Sequence, residues 1–235
     1  MKMSNTITSL VLSSILLFSS VYADPVAPTS VVPVVGDTIR VYSGNDRFPG
    51  FGGGDFNVST GGNMYTAFCL EKFEYIWFNT PYNIHSVGGF SENGSNYGAY
   101  HGSVNVGGDF VDFISNQTRY LMSEYIKDYD SLLSTFGGVS TKQEFSSRVQ
   151  EAIWFFENET TSNTDLLVSY VNSLNLSVMT EGMKNVMVIN PTCYTTQLQS
   201  LLIATGSPVP EPATMLLFGA GLTGLAYMKR KRDKK

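Results

Sequence analysis

The sequence is poor in the residues on which metal and redox chemistry depend. Its 235 residues include two cysteines, Cys69 and Cys193, and two histidines, His85 and His101. That leaves little room for a Cys/His zinc centre and is too few for the disulfide framework of a small secreted domain. Charge is also sparse, at 15% of residues against roughly 25% in an average soluble chain. With a net charge of −5, this excludes a highly charged disordered chain and a basic nucleic-acid binder. Catalytic signatures are missing too. There is no Gly-x-Ser-x-Gly, no His-Glu-x-x-His and no Gly-x-x-x-x-Gly-Lys-Ser/Thr. The run from Gly50 to Gly54 is not followed by the rest of a dinucleotide fingerprint. No internal repeat is present. The expectation is a chain without metal or cofactor, and not an enzyme.

What is present begins at the two ends. Lys2 precedes an apolar stretch, Leu10 to Phe18, and small residues lead to Ala23 before Asp24-Pro25. A basic start, a short apolar region and small residues at −3 and −1 make residues 1–23 a signal peptide cleaved after Ala23. The C-terminus runs Pro210-Glu211-Pro212, then sixteen uncharged residues from Ala213 to Met228, then six basic residues within Lys229 to Lys235. Residues 213–228 are expected to form one transmembrane helix, short but workable if the flanking Lys and Arg snorkel. The basic cluster belongs on the cytoplasmic side. This order of three features over residues 206–235 resembles the PEP-CTERM sorting signal. The resemblance implies an exosortase as partner, cleavage near Pro210-Glu211-Pro212, and delivery to the cell surface of an exopolysaccharide-making bacterium. Between the ends, Asp24 to Pro210 carries eight basic and eighteen acidic residues, a net charge of −10.

The region between reads as an extended Pro/Val-rich leader, 24–36, and one strand-rich α+β domain, 37–205. Thr38–Tyr42 is an expected strand. Alternating aromatic and β-branched residues extend strands over 55–58, 64–74 and 75–87. Residues 88–109 hold seven glycines in 22 positions and read as a long loop or hairpin pair. Three helices are expected in the second half. Leu121, Met122, Tyr125 and Tyr129 mark one over 116–135. Phe145, Val149, Ala152 and Phe156 mark another over 141–158, with Ser140 or Thr141 and Glu144 as its capping box. Leu167, Tyr170 and Leu174 mark a short third over 165–174. Asn185–Asn190 is the closing strand.

One pair of segments carries distinctive chemistry. Phe68-Cys69-Leu70-Glu71 lies on a strand, and Val149-Gln150-Glu151-Ala152-Ile153-Trp154 lies on the second helix. Together they resemble the two motifs of bacterial thioester domains, and the wider order is similar to a group of PEP-CTERM proteins. That order includes Glu74-Tyr75, Gly88-Gly89, Tyr120, Tyr125 and the acidic Glu157-Asn158-Glu159. The resemblance implies a cross-link between Cys69 and Gln150. A thiolate can attack the Gln amide carbon and expel ammonia, leaving an internal electrophile open to an amine or hydroxyl. Apolar cover from Phe68 and Trp154 would keep water out, and Glu71 or Glu157 could accept the proton.

Two other fates for the thiol stay open on sequence. An even cysteine count in an exported chain fits a Cys69–Cys193 disulfide, and Cys69 could equally be a buried, inert thiol. His85 and His101 read as loop residues, and the pairs Glu71/Glu74 and Asp109/Asp112 as common carboxylates rather than glycosidase or calcium sites. The expected function is an exported, surface-sorted binding, adhesion or biofilm-matrix component, with an extracellular polymer or surface ligand as partner and no nucleic acid. A disulfide-stapled structural protein and a secreted polysaccharide hydrolase are the alternatives.

Overall fold

A computed structural model of the protein describes Pro25 and residues 29–42, 53–72, 74–92, 104–106, 109–138, 140–193 and 196–206. The expected signal peptide with Ala23, the Pro210-Glu211-Pro212 motif, the expected transmembrane helix 213–228 and His101 lie outside the described residues. Among the described residues no helix is long and apolar enough to cross a membrane.

The centre of the fold is a six-stranded barrel. Strand β1 (Thr38–Tyr42) pairs antiparallel with β2 (Phe56–Thr60), and β2 with β3 (Asn63–Cys69). The turn between β2 and β3 is Gly61-Gly62, with φ of 56° and 79°. Two successive positive φ values are what a two-residue hairpin turn needs, and glycine reaches them without strain. On the other side of β1 lies β4 (Pro81–Gly88), and next to it β8 (Val186–Cys193). A short β9 (Thr196–Gln197) turns back on β8. Strand β10 (Leu201–Ala204) then slots between β8 and β3 and closes the barrel, with Leu201 opposite both Ile189 and Cys69. A separate three-stranded sheet contains β5 (Phe90–Glu92), β6 (Val104–Val106) and β7 (Asp109–Phe113), with β7 in the middle.

Side-chain alternation sorts the residues into two cores. Ile39, Val41, Val58, Tyr65, Ala67, Ile84, Ile189, Leu201 and Ile203 pack inside the barrel. Their neighbours Phe68, Leu70, Val188 and Leu202 point outward and are covered by helices. Both faces of β10 are therefore buried, and it reads as a continuous apolar run, whereas β3 is buried on both faces only from Tyr65 to Phe68.

The helical layer comprises α1 (Asn116–Lys127), α2 (Tyr129–Leu132), α3 (Lys142–Phe156), α4 (Leu166–Ser173) and α5 (Glu181–Lys184). Helix α2 runs into a π-helical turn, Leu133–Gly137. Helix α3 starts at Thr141, whose capping box with Glu144 is complete. Arg148 binds both carboxylate oxygens of Asp165, the N-cap of α4, at 2.6 and 2.9 Å. That fork ties the two helices together.

The strand-rich α+β expectation holds at this level, and several boundaries change. The strand expected over 64–74 stops at Cys69, because the N–H of Ser200, next in line on the partner strand, goes to the Glu71 carboxylate at 3.1 Å. Residues 70–72 and 74–80 are irregular chain, and pairing resumes at Pro81. Of the segment 88–109, expected as a long loop or hairpin pair, residues 90–92 form β5 and 104–106 form β6, both paired with β7. Strand β10 is not among the expected elements, and it closes the barrel beside β8, which contains the expected closing strand.

The first and last described stretches meet. The Gly206 N–H donates to the Thr29 carbonyl at 2.7 Å. Thr29 also bonds Asn63, and the Tyr65 hydroxyl reaches the Val31 carbonyl at 2.9 Å. The leader is thus laid against the Asn63 end of β3.

Candidate functional site

Gln150 lies two-thirds of the way along α3, fully buried, one turn before Trp154. Val149, Ala152 and Ile153 hold that helix against the outer face of the barrel, which aims Gln150 at the end of β3. Its carboxamide lies flat against one residue. The Cys69 N–H donates to Gln150 Oε1 at 3.0 Å, and Gln150 Nε2 donates to the Cys69 carbonyl at 2.7 Å. Strand β2 begins only at Phe56, opposite Ala67. The side chain therefore fills the ladder position where β2 has run out. Leaving those two backbone groups unpaired in a buried site would be costly.

Cys69 is a free thiol, as is Cys193. Burial first, and the nearby Glu71 second, push its pKa up to about 12. At neutral pH the thiol keeps its proton, so any attack must pass that proton on. The strand order bears on the Cys69–Cys193 disulfide alternative. Cys193 sits four residues beyond Ile189 on β8, and β10 intervenes between β8 and β3. Strand spacing puts the two Cα atoms on the order of 10 Å or more apart, beyond the roughly 4.4–6.8 Å that a disulfide spans.

Of the two candidate proton acceptors, Glu71 is the one whose charge acts on the thiol. Glu71 is buried and holds Ser91 Oγ on one oxygen, with Gln199 Nε2 (2.8 Å) and the Ser200 N–H on the other. Burial, and then Glu74, raise its pKa against the pull of these donors. Glu157 is committed elsewhere. It accepts from the Ser115 N–H at 3.1 Å and from the Ser115 and Thr118 hydroxyls, closing the N-terminus of α1. Burial raises its pKa as well.

Around the pair lies a rim that the sequence only partly announced. Trp154 is 8% exposed, and its indole N–H has no acceptor among the described residues. Lys72 Nζ stands 5.7 Å from the centre of its ring. The Lys72 N–H bonds Glu159 at 3.3 Å, and the Glu159 N–H bonds the Trp154 carbonyl at 2.8 Å. Burial, followed by Glu159, pushes Glu74 up to about 7, and burial with Glu157 and Glu159 does the same for Asp112. Tyr75 and Trp77 are 77% and 65% exposed. Their backbone is nonetheless fixed, because the Tyr82 hydroxyl both accepts from the Trp77 N–H and donates to its carbonyl at 2.9 Å.

The lead-in to β2 belongs to the site and carried no signal beyond a glycine run. Gly53 and Asp55 are bonded to α3. Ser147 Oγ donates to the Gly53 carbonyl at 3.0 Å. The Asp55 N–H donates to Ser146 Oγ at 2.7 Å, and that hydroxyl donates to Asp55 Oδ1 at 2.5 Å. Burial raises the Asp55 pKa. His85, on β4, stands apart from this site with its Nε2 3.4 Å from Glu92. Among the described residues no group of three or more His, Cys, Asp or Glu could hold a metal ion.

The other end of the sequence settles the sorting class. Residues 208–231 match the PEP-CTERM protein-sorting motif. This motif implies export, membrane-anchored sorting to the surface and processing by exosortase. No curated protein matches the PEP-CTERM chain in sequence. Its structural neighbours are bacterial thioester domains. They include the N-terminal thioester domain of the fibronectin-binding protein SfbI from Streptococcus pyogenes, at 14% identity and a TM-score of 0.40, covering 77% of this chain and 98% of that one. The N-terminal domain of the Streptococcus pyogenes pilus tip adhesin Cpa gives 12% identity and a TM-score of 0.44, over 77% and 99%. The N-terminal thioester domain of a surface protein from Clostridium perfringens gives 14% and 0.41, over 72% and 98%.

Proposed function

We propose that this PEP-CTERM protein is a surface-exported binding component, of adhesion or biofilm-matrix type, that attaches covalently through an internal Cys69–Gln150 thioester. It acts once per molecule and is not a turnover enzyme. The observation that carries the reading is the seating of the Gln150 carboxamide on the residue that bears the thiol, through bonds of 3.0 and 2.7 Å.

The same two bonds suit the reaction. Attack of Cys69 Sγ on the Gln150 amide carbon forms a C–S bond and puts negative charge on Oε1. The Cys69 N–H already donates to that oxygen and would stabilise the charge as it develops. The C–N bond then breaks, and Nε2 leaves as ammonia with the thiol proton. No electron transfer is involved. Glu71, whose charge acts on the thiol, would relay that proton. A partner's amine or hydroxyl later attacks the thioester carbonyl, remains on Gln150 as an amide or ester, and returns Cys69 to the thiol.

The test is the intact mass of the exported domain before and after methylamine. A mass lower by one ammonia, followed by a methylamine adduct that Cys69→Ala abolishes, is the expected result. A full-length mass with no adduct would sink the thioester and leave Gln150 as a structural stand-in for a missing strand. A mass lower by two hydrogens would restore the disulfide.

A further inference from the structure

We propose that Gly53 is a positioning residue for the Cys69–Gln150 pair, and that the strap Gly53–Asp55 holds the Gln150 side chain in the arrangement that lays its carboxamide on Cys69. Its chemical consequence rests on the thioester reading; the positioning rests on geometry alone.

A Cβ placed on Gly53 would lie 2.5 Å from Gln150 Cγ, 3.3 Å from its Cδ and 3.2 Å from Trp154 Cη2. Real Cβ atoms do not approach that closely, so something must give. Gln150 Cγ has no freedom to do so. It sits between the helix backbone on one side and a carboxamide held at both polar atoms on the other. The strap cannot retreat either, because Ser146 and Ser147, one turn earlier on the same helix, hold Asp55 and Gly53. Gly53 also has φ of +63°, a conformation that glycine adopts without cost. Residue 53 is thus the wall against which the middle of the Gln150 side chain rests. A side chain there would swing the carboxamide off Cys69, and displacement of a reacting atom by about 1 Å is enough to cost roughly a hundredfold in rate.

The experiment compares Gly53→Ala with Gly62→Ala. Gly62 also has positive φ, at +79°, but nothing lies within 4 Å of its Cβ position. It therefore reports backbone strain without the contact. Ammonia loss is followed by intact mass after refolding. Gly53→Ala is expected to slow it at least about tenfold, with Gly62→Ala at the wild-type rate. Hydrogen exchange at the residue-69 amide, measured in a Cys69→Ser background, supplies a second readout that needs no thioester. Protection there is expected to drop in Gly53→Ala and to persist in Gly62→Ala. If the unaltered protein loses no ammonia, the thioester reading fails, and the exchange arm alone decides the positioning. If Gly53→Ala keeps both rate and protection, or if the two glycine variants suffer equally, the proposal is overturned. Should Gly53→Ala fail to fold, adding Gln150→Ala is expected to restore folding to the level of Gln150→Ala alone. Absence of that rescue would also overturn it.

Discussion

The two ends of β3 differ in how their backbone is completed. At the Asn63 end the partners are backbone and small polar groups. The Gly61-Gly62 turn, Thr29, Val31 and Gly206 satisfy one another there. At the Cys69 end, seven residues and about 20 Å along the strand, the partner strand runs out and a side chain from a helix takes its place. Buried carboxyls collect at that end and not at the other. Where the ladder is complete, nothing is left to react. Where it is completed by a carboxamide, an amide group lies against the residue that carries the thiol.

The contrast can be broken most directly at Gln150. Gln150→Leu strips the partners from two buried backbone groups and is expected to destabilise the domain by about 2–3 kcal/mol in urea unfolding. Asn63→Ala at the opposite end should stay within about 0.5 kcal/mol. Equal losses at both ends would erase the distinction. Next in size is Tyr65→Phe, which removes the hydroxyl bond to the leader. A loss of about 1 kcal/mol is expected, with ammonia loss unaltered; a change in that rate would show the two ends to be coupled.

An effect of pH is expected as well. Glu74 and Asp112 are raised to about 7, above the ordinary carboxyl value near 4. The folded chain therefore holds protons that the unfolded chain has released. Stability present below about pH 4 is lost as pH rises through about 7. A lower Tm at pH 8 than at pH 5, with a flatter profile in Glu74→Gln, is the expected outcome. An unchanged slope in that variant would remove Glu74 from the account. The smallest change is Thr29→Val, worth a few tenths of a kcal/mol at a half-exposed polar contact, and checked by the same unfolding curves. A loss above about 1 kcal/mol would mean that the leader is integral to the barrel.

Much of this was legible from local pattern. Strand β1 was read to its last residue, because Ile39 and Val41 alternate with polar neighbours. Helix α3 and its Thr141–Glu144 cap were read because a capping box is a short-range signal. Cys69 and Gln150 were paired from motif resemblance, and the structure brings them together. What stayed hidden depends on long-range pairing. Strand β10 is four apolar residues with no period of its own, and only its neighbours β3 and β8 make it a strand. The end of β3 was missed because a side chain, Glu71, takes the next bond in the ladder. Gly53 was indistinguishable from its glycine neighbours, since its role is defined by Gln150, ninety-seven positions later. The choice between Glu71 and Glu157 needed the same information.

The closure of the barrel by β10 has a mechanical meaning. The sorting motif begins two residues after Gly206, so a tether to the membrane would pull on the Ala204 end of β10. A captured molecule on Gln150 would pull from the level of Cys69, which is opposite Leu201 at the other end of the same strand. Tension would then run along β10, across ladder bonds on both of its edges, to β3 and to β8. Those bonds would be sheared together rather than peeled one at a time. The strand nearest the tether is gripped from two sides, so a load between anchor and cargo would meet the barrel along a resistant direction.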